Sequence, residues 1–356
     1  MRGQRPMTGG IVIAGCGSYL PGRPVTNDEI EAQVGTGYDR CGKGQSLHDW
    51  ARRHHGGSIR YWADDNEATS DLALAASRRA LADADMTAAD LDLIVVSTFT
   101  SDHPVPSTAA RLQAGLAARA KFLQIDAACS GFVDGMWIAT SLMRQQGLKT
   151  VLVVAADVLS RLSGPQQYLP KTVFGDAAGA VVLTWHDDAA MGVREFSTGS
   201  DGQLGDYVLI PSGGSKSALT PARHAAGEQY WKLDFHNIKL WALERMSHCT
   251  ADVIHKTGLI QADVAWFVPH QASTTIIREW ADRLGIAMER VVLTYEEMGN
   301  ISGASIPVAL DRAKRAGRFR NGEWIVMPAV GAGMAWGALS YRWAGDDNPV
   351  QPGREG

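Results

Sequence analysis

The chain has little cysteine, no long apolar run and almost no net charge, and each absence excludes a class of protein. Its four cysteines, Cys16, Cys41, Cys129 and Cys249, lie far apart in 356 residues and form no CxxC pair. This spacing argues against a zinc site and against a disulfide framework. No apolar run approaches the roughly 20 residues needed to cross a bilayer, so no membrane span is expected. A net charge of −4 gives no reason to expect a nucleic-acid partner.

The sequence also lacks targeting and cofactor-binding signals. Residues 1–15 have no apolar segment followed by a small-residue cleavage site, so we expect a cytoplasmic protein. The adjacent pair His54 and His55 has no acidic or cysteine residues at metal-ligand spacing, which predicts no metal site. Nothing in the sequence indicates a redox cofactor.

What the chain does contain is an alternation of short apolar runs with helical patterns, which is typical of an α/β fold. The pattern predicts buried strands at 11–21, 91–99 and 150–159. It predicts a helix over 69–85, capped by Thr69 or Ser70. A second predicted helix follows Cys129 and ends at Gly147.

Two pairs of segments resemble each other in the same order along the chain. Residues 88–96 (AADLDLIVV) resemble 261–269 (QADVAWFVP). Residues 175–185 (GDAAGAVVLTW) match 333–343 (GMAWGALSYRW) at two glycines and the final tryptophan. Correlated matches at this long separation indicate an ancient duplication and exclude a short-period repeat protein.

The duplication predicts two similar α/β halves. We place the first half at 1–190, with the cysteine discussed below, and the second at 191–345, followed by a flexible tail at 346–356. Two polar segments outside the pattern, 34–62 and 212–229, are interpreted as insertions over one face, where substrate recognition commonly lies.

Cys129 lies in the segment IDAACSGFVDG, among small residues at the start of an apolar helix. A thiol at that position would be near unpaired N–H groups and the positive end of the helix dipole, and both favour the thiolate. Small neighbours would let a substrate approach closely. The alternative is a buried structural cysteine, which is the usual role of a free cysteine; Cys16, Cys41 and Cys249 are assigned that role.

Two further segments make a nucleophile the better interpretation. His270 directly follows a buried strand in WFVPHQAS, and imidazole is the usual partner of a reactive thiol. Asn300, in GNISGASIPVAL, precedes another helix start, where asparagine also serves as a simple helix cap. Each residue alone is weak evidence, but the three together form a specific set.

These motifs, with the terminal GAGMAWGALSYRW, resemble those of β-ketoacyl-ACP synthase III (ketosynthase III) in the thiolase superfamily. The resemblance extends from Gly10 to Trp343, almost the whole chain. It implies the five-layered αβαβα thiolase fold with two pseudo-symmetric halves, and a homodimer. The internal repeat, which was found without reference to this resemblance, also indicates two halves.

By this resemblance, Cys129 takes an acyl group from an acyl-CoA or an acyl carrier protein. His270 and Asn300 bind the thioester carbonyl of malonyl-CoA or a malonyl carrier protein and stabilise the enolate formed as carbon dioxide leaves. The enolate then attacks the acyl group in a decarboxylative Claisen condensation. The backbone N–H groups of Cys129 and Ala332 would form the oxyanion hole, Ala332 standing where the family typically has glycine. Coenzyme A or phosphopantetheine thioesters are then substrates, and no cofactor is expected.

Four positions concern substrate binding. Trp50 matches the family tryptophan that stacks on the coenzyme A adenine, but Tyr168 stands where an arginine would face the other side of that adenine. Thr275 replaces an arginine implicated in carrier-protein docking. Val105 replaces a phenylalanine that often closes the partner subunit's acyl pocket, which predicts room for a longer, branched or aromatic acyl group.

The resemblance therefore implies an acyltransferase of the condensing type, in fatty-acid-like or polyketide and specialised metabolism. One alternative is acyl transfer to a hydroxyl or carrier thiol without condensation, although retention of Asn300 argues against it. Another is a non-catalytic partner subunit, against which the intact set of three residues argues. The order Cys, His, Asn also occurs in papain-like hydrolases, but those lack duplicated halves of this kind.

Overall fold

The computed structural model describes residues 9–39, 42 and 44–345. Two of the expectations above, those for Cys41 and for the tail at 346–356, lie outside the described residues. No helix in the described part of the chain is long and apolar enough to span a bilayer.

The elements alternate along the chain as the apolar pattern predicts. The strands are β1 Gly10–Tyr19, β2 Pro24–Thr26, β3 Ile59–Tyr61, β4 Leu93–Ser97, β5 Lys121–Ile125, β6 Val151–Asp157, β7 Ala177–His186, β8 Gly192–Ser200, β9 Val208–Leu209, β10 Lys232–Leu233, β11 Val264–Phe267, β12 Trp324–Gly331 and β13 Ala335–Arg342. The helices are α1 Asn27–Val34, α2 Leu47–His54, α3 Thr69–Asp83, α4 Thr108–Gly115, α5 Gly131–Gln146, α6 Tyr168–Val173, α7 Pro221–Ala225, α8 Phe235–Lys256, α9 Thr274–Leu284, α10 Tyr295–Met298 and α11 Ser305–Arg315.

Two mixed sheets repeat one topology. The first sheet has the strand order β1-β7-β6-β4-β5 and the second has β8-β13-β12-β11. In both sheets the strands of the predicted repeat correspond: β4 with β11 and β7 with β13, each carrying one of the paired segments. Their neighbours also correspond in direction, since β4 and β6 are parallel as are β11 and β12. The predicted duplication is confirmed by this shared order.

The sheets and helices form five layers. Helices α5 and α11 lie between the two sheets, where their apolar faces share one core with β4, β6, β12 and β13. Helices α3 and α4 cover the outer face of the first sheet, and α8 and α9 cover that of the second. This is the αβαβα arrangement. The predicted boundary between residues 190 and 191 lies between β7 and β8, but the division into domains stays a prediction.

The end of α5 agrees with the sequence, whereas α3 ends at Asp83, two residues before the predicted end, and has a different N-cap. Helix α5 ends before Gly147, whose φ of 67° is a left-handed conformation that glycine adopts without steric cost. Helix α3 begins at Thr69 with Ala68 as its N-cap, so the predicted cap at Thr69 or Ser70 is wrong. The physical reason is tertiary: the Thr69 hydroxyl donates to the carbonyl oxygen of Thr100 at 2.5 Å, and Asp71 instead accepts from the Ala68 N–H at 2.8 Å.

Candidate active site

Cys129 lies on a short 3-10 turn, Ala128–Ser130, between the end of β5 and the start of α5. The turn fits tightly against the first sheet, because a Cβ on the next residue, Gly131, would lie 1.8 Å from the Ser97 hydroxyl oxygen. Only glycine is therefore accommodated there. The half-buried thiol is thus held where the sequence predicts it, at the helix start.

The electrostatic environment of Cys129 differs from the expectation. Burial, together with the nearby Asp157 carboxyl, raises the pKa of the Cys129 thiol to about 12. The nearby Ser302 side chain opposes this rise in pKa, but burial outweighs it. This raised pKa differs from the expected thiolate, and the thiol proton must leave before the sulfur can attack.

His270 follows β11 and is held by two interactions. The backbone N–H of His270 donates to the Pro328 carbonyl oxygen at 2.8 Å, and its ring Nδ1 lies 2.8 Å from the Ser305 hydroxyl oxygen. Burial lowers the pKa of His270 to about 4, which a backbone hydrogen bond with Ser302 opposes only in part. The imidazole is therefore neutral at pH 7, which suits a hydrogen-bonding role better than a basic one.

Asn300 lies just before α11 and is anchored to the first sheet's side of the molecule. Its N–H donates to the Val173 carbonyl oxygen at 2.7 Å, and its carbonyl oxygen accepts from the Gly175 N–H at 3.1 Å. Its side-chain oxygen accepts from the Ser302 N–H at 2.9 Å. The side-chain NH₂ group is then left as a donor, since no described residue accepts from it.

Cys129, His270 and Asn300 line one cavity of about 700 Å³, together with Ala332. The structure thus brings together the three side chains that the sequence singled out. Much of the remaining lining is apolar and aromatic, including Phe99, Leu159, Phe174, Trp231, Ile238 and Val330. Such a cavity suits an acyl chain whose reactive end is held by a few polar groups.

The end of β12 approaches the nucleophile's turn very closely. A Cβ on Gly331 would lie 2.7 Å from the Ser130 nitrogen and 3.0 Å from the Cys129 nitrogen. The next residue, Ala332, lines the cavity. The proposed oxyanion donors, the N–H groups of Cys129 and Ala332, therefore belong to two segments in direct contact.

The predicted entrance residues have different positions. Trp50 and Thr275 line the cavity, whereas Tyr168 contacts it only through Trp50, against which its ring packs edge-on at 5.2 Å. His54, one helical turn after Trp50, stacks on the Trp50 ring at 4.3 Å. Thr275 has no charge with which to bind an acidic carrier protein. Its hydroxyl donates to the His54 carbonyl oxygen at 3.2 Å. One face of Trp50 is therefore already covered by the chain itself.

The remaining predicted positions lie apart from the cavity. Val105 is 85% exposed and is not among the residues that line the cavity in this chain, so its role as a gate stays a prediction that concerns a partner subunit. The insertion 34–62 is not simply a loop, because it forms α2 and β3, and α2 supplies Trp50. None of the residues in 212–229 lines the cavity.

Sequence reasoning missed two polar residues beside the thiol. Ser302 follows Asn300 by two positions and lies on the same cavity. Asp157 ends the fully buried strand β6 and is 1% exposed. A carboxylate at the end of a wholly apolar run was a usable signal, because buried acids are rare unless paired or functional.

Family models match both halves of the chain. The model for 3-oxoacyl-[acyl-carrier-protein] synthase III matches residues 123–202, and the model for the C-terminal part of that enzyme matches residues 254–343.

Curated relatives match over nearly their full length. A β-ketoacyl-[acyl-carrier-protein] synthase III of Streptomyces coelicolor is 36% identical over 96% of this chain and 99% of the relative. The β-ketoacyl-[acyl-carrier-protein] synthase III of Rhodopirellula baltica is 35% identical over 94% of this chain and 99% of the relative.

Solved structures agree with these matches. The 3-oxoacyl-(acyl carrier protein) synthase III of Pseudomonas aeruginosa superposes with a TM-score of 0.83 at 33% identity, over 94% of this chain and 98% of that one. The priming β-ketosynthase of the R1128 polyketide pathway superposes with a TM-score of 0.85 at 27% identity, over 97% of this chain and 99% of that one. With a relative 36% identical over almost the whole length of both chains, this chain belongs to the 3-oxoacyl-[acyl-carrier-protein] synthase III family of condensing enzymes.

Proposed function

We propose that this chain loads an acyl group from an acyl-CoA or acyl-carrier thioester onto Cys129 and condenses it with a malonyl thioester to give a β-ketoacyl product. The observation that supports this most is the meeting of Cys129, His270 and Asn300 on one apolar cavity. The reaction needs no resident cofactor, because the thioesters themselves are the substrates.

In the loading step the Cys129 sulfur attacks the thioester carbonyl of the donor. Negative charge develops on the carbonyl oxygen, and the N–H groups of Cys129 and Ala332 are the proposed donors that stabilise it. Their contact through Gly331 supports a shared oxyanion position. Collapse of the tetrahedral intermediate expels the donor's thiolate and leaves the acyl group on Cys129.

In the condensation step the malonyl thioester loses carbon dioxide and leaves an enolate. Its oxygen requires hydrogen-bond donors, and the free NH₂ group of Asn300 is one candidate. His270 is the second, since a neutral imidazole held through Nδ1 at Ser305 can donate from its other ring nitrogen. The enolate carbon then attacks the acyl group on Cys129, and the Cys129 thiolate leaves.

A phosphopantetheine thioester is the chemistry shared by both proposed donors, coenzyme A and a carrier protein. At the entrance Trp50 is covered on one face by His54, and Tyr168 packs against its edge. Lys239, which also lines the cavity, is paired with Glu279 at 2.7 Å. The Trp50 surroundings thus differ from the open adenine site that the resemblance implies.

A homodimer is also proposed. Strand β5 lies at the edge of the first sheet, and an unpaired edge is usually covered by another element or chain. Two large apolar side chains, Val105 and Trp137, are exposed at 85% and 48%. A cytoplasmic location and a wider acyl pocket behind Val105 stay predictions from the sequence.

Acyl transfer without condensation is the alternative, and so is a partner subunit without activity. Asn300 argues against both, because its side-chain amide faces the cavity with a free donor that only the decarboxylation step uses.

Intact-protein mass spectrometry tests the proposal. The protein is incubated with short, long and aromatic acyl groups, each presented on coenzyme A and on a carrier protein. We expect one donor class to add an acyl mass to the wild type and to Cys249→Ala, a control at a fully buried thiol, but not to Cys129→Ala. A β-ketoacyl product should follow on adding malonyl thioester. Loading of Cys129→Ala, or transfer without carbon dioxide release, would overturn the proposal.

A further inference from the structure

Arg60, in the middle of β3, is a fully buried cation. Its Nη2 donates to the Asn27 side-chain oxygen and to the Thr172 carbonyl oxygen, each at 2.7 Å. Its Nη1 donates to the Val25 carbonyl oxygen at 3.1 Å. These acceptors are neutral, and among the described residues no carboxylate is paired with Arg60. Burying a cation against neutral oxygens alone costs free energy, so stability does not explain its presence.

The carbonyl that Arg60 holds belongs to the segment to which Asn300 is bonded. Thr172 and Val173 end α6, and the Val173 carbonyl oxygen accepts from the Asn300 N–H at 2.7 Å. The Gly175 N–H donates to the Asn300 carbonyl oxygen at 3.1 Å. A Cβ on Gly175 would lie 3.1 Å from the Arg60 Cβ, so Arg60 also lies directly against this backbone. The carbonyl bonded to Arg60 and the carbonyl bonded to Asn300 are therefore consecutive in the chain.

A second connection reaches Asn300 from its other side. Tyr295 begins α10, and the Gly299 N–H donates to the Tyr295 carbonyl oxygen at 2.8 Å, which closes the turn directly before Asn300. The hydroxyl of Tyr295, a fully buried residue, lies 3.0 Å from Nδ1 of His55. His55 is the C-cap of α2 and precedes Arg60 by five positions. Residues 55–60 are thus fastened to the chain on both sides of Asn300.

The hydrogen bonds around His55 fix its tautomer. The Thr172 hydroxyl donates to the Leu169 carbonyl oxygen at 3.0 Å, so it accepts from Nε2 of His55, which lies 3.2 Å away. Nδ1 is then the acceptor for the Gly57 N–H at 3.2 Å and for the Tyr295 hydroxyl. Burial also lowers the pKa of His55 to about 3, so the ring is neutral at pH 7. The ring therefore joins Thr172 to Tyr295 with both of its nitrogens bonded.

We propose that Arg60 is a positioning residue for Asn300, and that His55 and Tyr295 complete the same support. The support aims the free NH₂ group of Asn300 at the oxygen of the enolate that forms as carbon dioxide leaves. A donor held in place beforehand stabilises developing charge without reorganisation. Among the described residues no hydrogen bond joins 55–60 to the turn Ala128–Ser130 that carries the nucleophile. Loss of the support should therefore slow decarboxylation and leave acyl loading intact.

This inference rests on the proposed function, and the experiment separates the two. Acyl loading is followed by rapid quench and intact mass. Carbon dioxide release is then counted on the loaded enzyme at saturating labelled malonyl thioester. The variants are Arg60→Met and Tyr295→Phe, each alone and combined with Asn300→Ala.

The choice of variants keeps the test informative. Tyr295→Phe removes one hydroxyl and keeps the ring, so it decides the question even if Arg60→Met does not fold. Tyr341→Phe is the matched control, because Tyr341 is also fully buried and its hydroxyl also holds one hydrogen bond, from the Ile13 N–H at 2.8 Å. Tyr341 belongs to the core between the sheets and does not line the cavity.

We expect Arg60→Met and Tyr295→Phe to release carbon dioxide at least about 10-fold more slowly, as for a small misplacement of a reacting group. Acyl loading should stay within twofold of the wild type, and Tyr341→Phe should match the wild type in both steps. In the Asn300→Ala background neither substitution should slow release further, because both act through Asn300.

Three results would overturn the inference. They are a smaller effect on release in either folded variant, loading slowed as much as release, and further slowing in the Asn300→Ala background. A wild type that releases no carbon dioxide, or unchanged release in Asn300→Ala alone, would instead overturn the proposed function.

Discussion

Replacing Gly331 by alanine tests whether close contact between β12 and the nucleophile's turn sets the geometry of the oxyanion donors. The added Cβ would lie 2.7 Å from the Ser130 nitrogen, whereas ordinary contact begins at 3.4 Å, so one segment must move by about 0.7 Å (3.4 − 2.7). The contacted atoms are backbone nitrogens of Cys129 and Ser130 and cannot rotate away. Misplacement of reacting groups by about 1 Å costs on the order of 100-fold in rate.

We therefore expect Gly331→Ala to reduce the rate constant of acyl loading by roughly 10- to 100-fold. Overpacking of a tight site should also lower the free energy of unfolding by about 1–3 kcal/mol. The assays are rapid-quench intact mass for loading and urea unfolding for stability. Gly214→Ala is the control, because a Cβ there meets nothing within 4 Å.

Loading by Gly331→Ala within twofold of the wild type at unchanged stability would refute the proposed role of this contact. Reduced stability with unchanged loading would also refute it, since the strain would then be relieved away from the donors.

Two further outcomes are expected. Asn300→Ala should load normally but release carbon dioxide from a malonyl thioester on the order of 10²- to 10³-fold more slowly, as counted with labelled malonyl substrate; unchanged release would remove Asn300 from the enolate site. Acid should destabilise the fold, because burial lowers the pKa of His270 to about 4 and that of His55 to about 3. The unfolded state then binds protons that the folded state does not, so the free energy of unfolding falls as the pH decreases from about 6.5 towards 4. For His270 this loss of unfolding free energy amounts to about 3 kcal/mol, at about 1.4 kcal/mol for each pKa unit. Urea unfolding at pH 4.5 and 7.5 should show a smaller difference in unfolding free energy for His270→Asn than for the wild type. An equal difference in the two proteins would contradict the assignment.

The sequence predicted those features that depend on local pattern. His270 follows the predicted strand that forms β11, and Cys129 lies at the predicted start of the apolar helix α5; both boundaries are evident from the hydrophobic pattern alone. The repeat between β4 and β11 similarly predicted two sheets of one topology. The first prediction rests on residues adjacent in sequence, and the second on a comparison of two segments of the same chain.

Features that depend on distant contacts were not predictable in the same way. The cap of α3 lies at Ala68 because the Thr69 hydroxyl is used by Thr100, 31 positions away. The pKa of the Cys129 thiol is raised by burial, and the extent of burial depends on the whole fold. The stacking of His54 on Trp50 was locally encoded by their spacing of one helical turn, yet nothing in the sequence distinguished it from an open aromatic face.

The main-chain bonds of Asn300 have an evolutionary consequence. Its N–H and carbonyl oxygen are bonded to Val173 and Gly175, which precede β7 of the first sheet, although Asn300 itself belongs to the later copy of the repeat. A duplicated ancestor begins with two equivalent units, each free to diverge. Here the amide of one copy is fastened to the backbone of the other, beside a nucleophile that the other copy supplies. Neither copy can be exchanged or deleted without disturbing the site that the other helps to form, so we expect the two copies to evolve together.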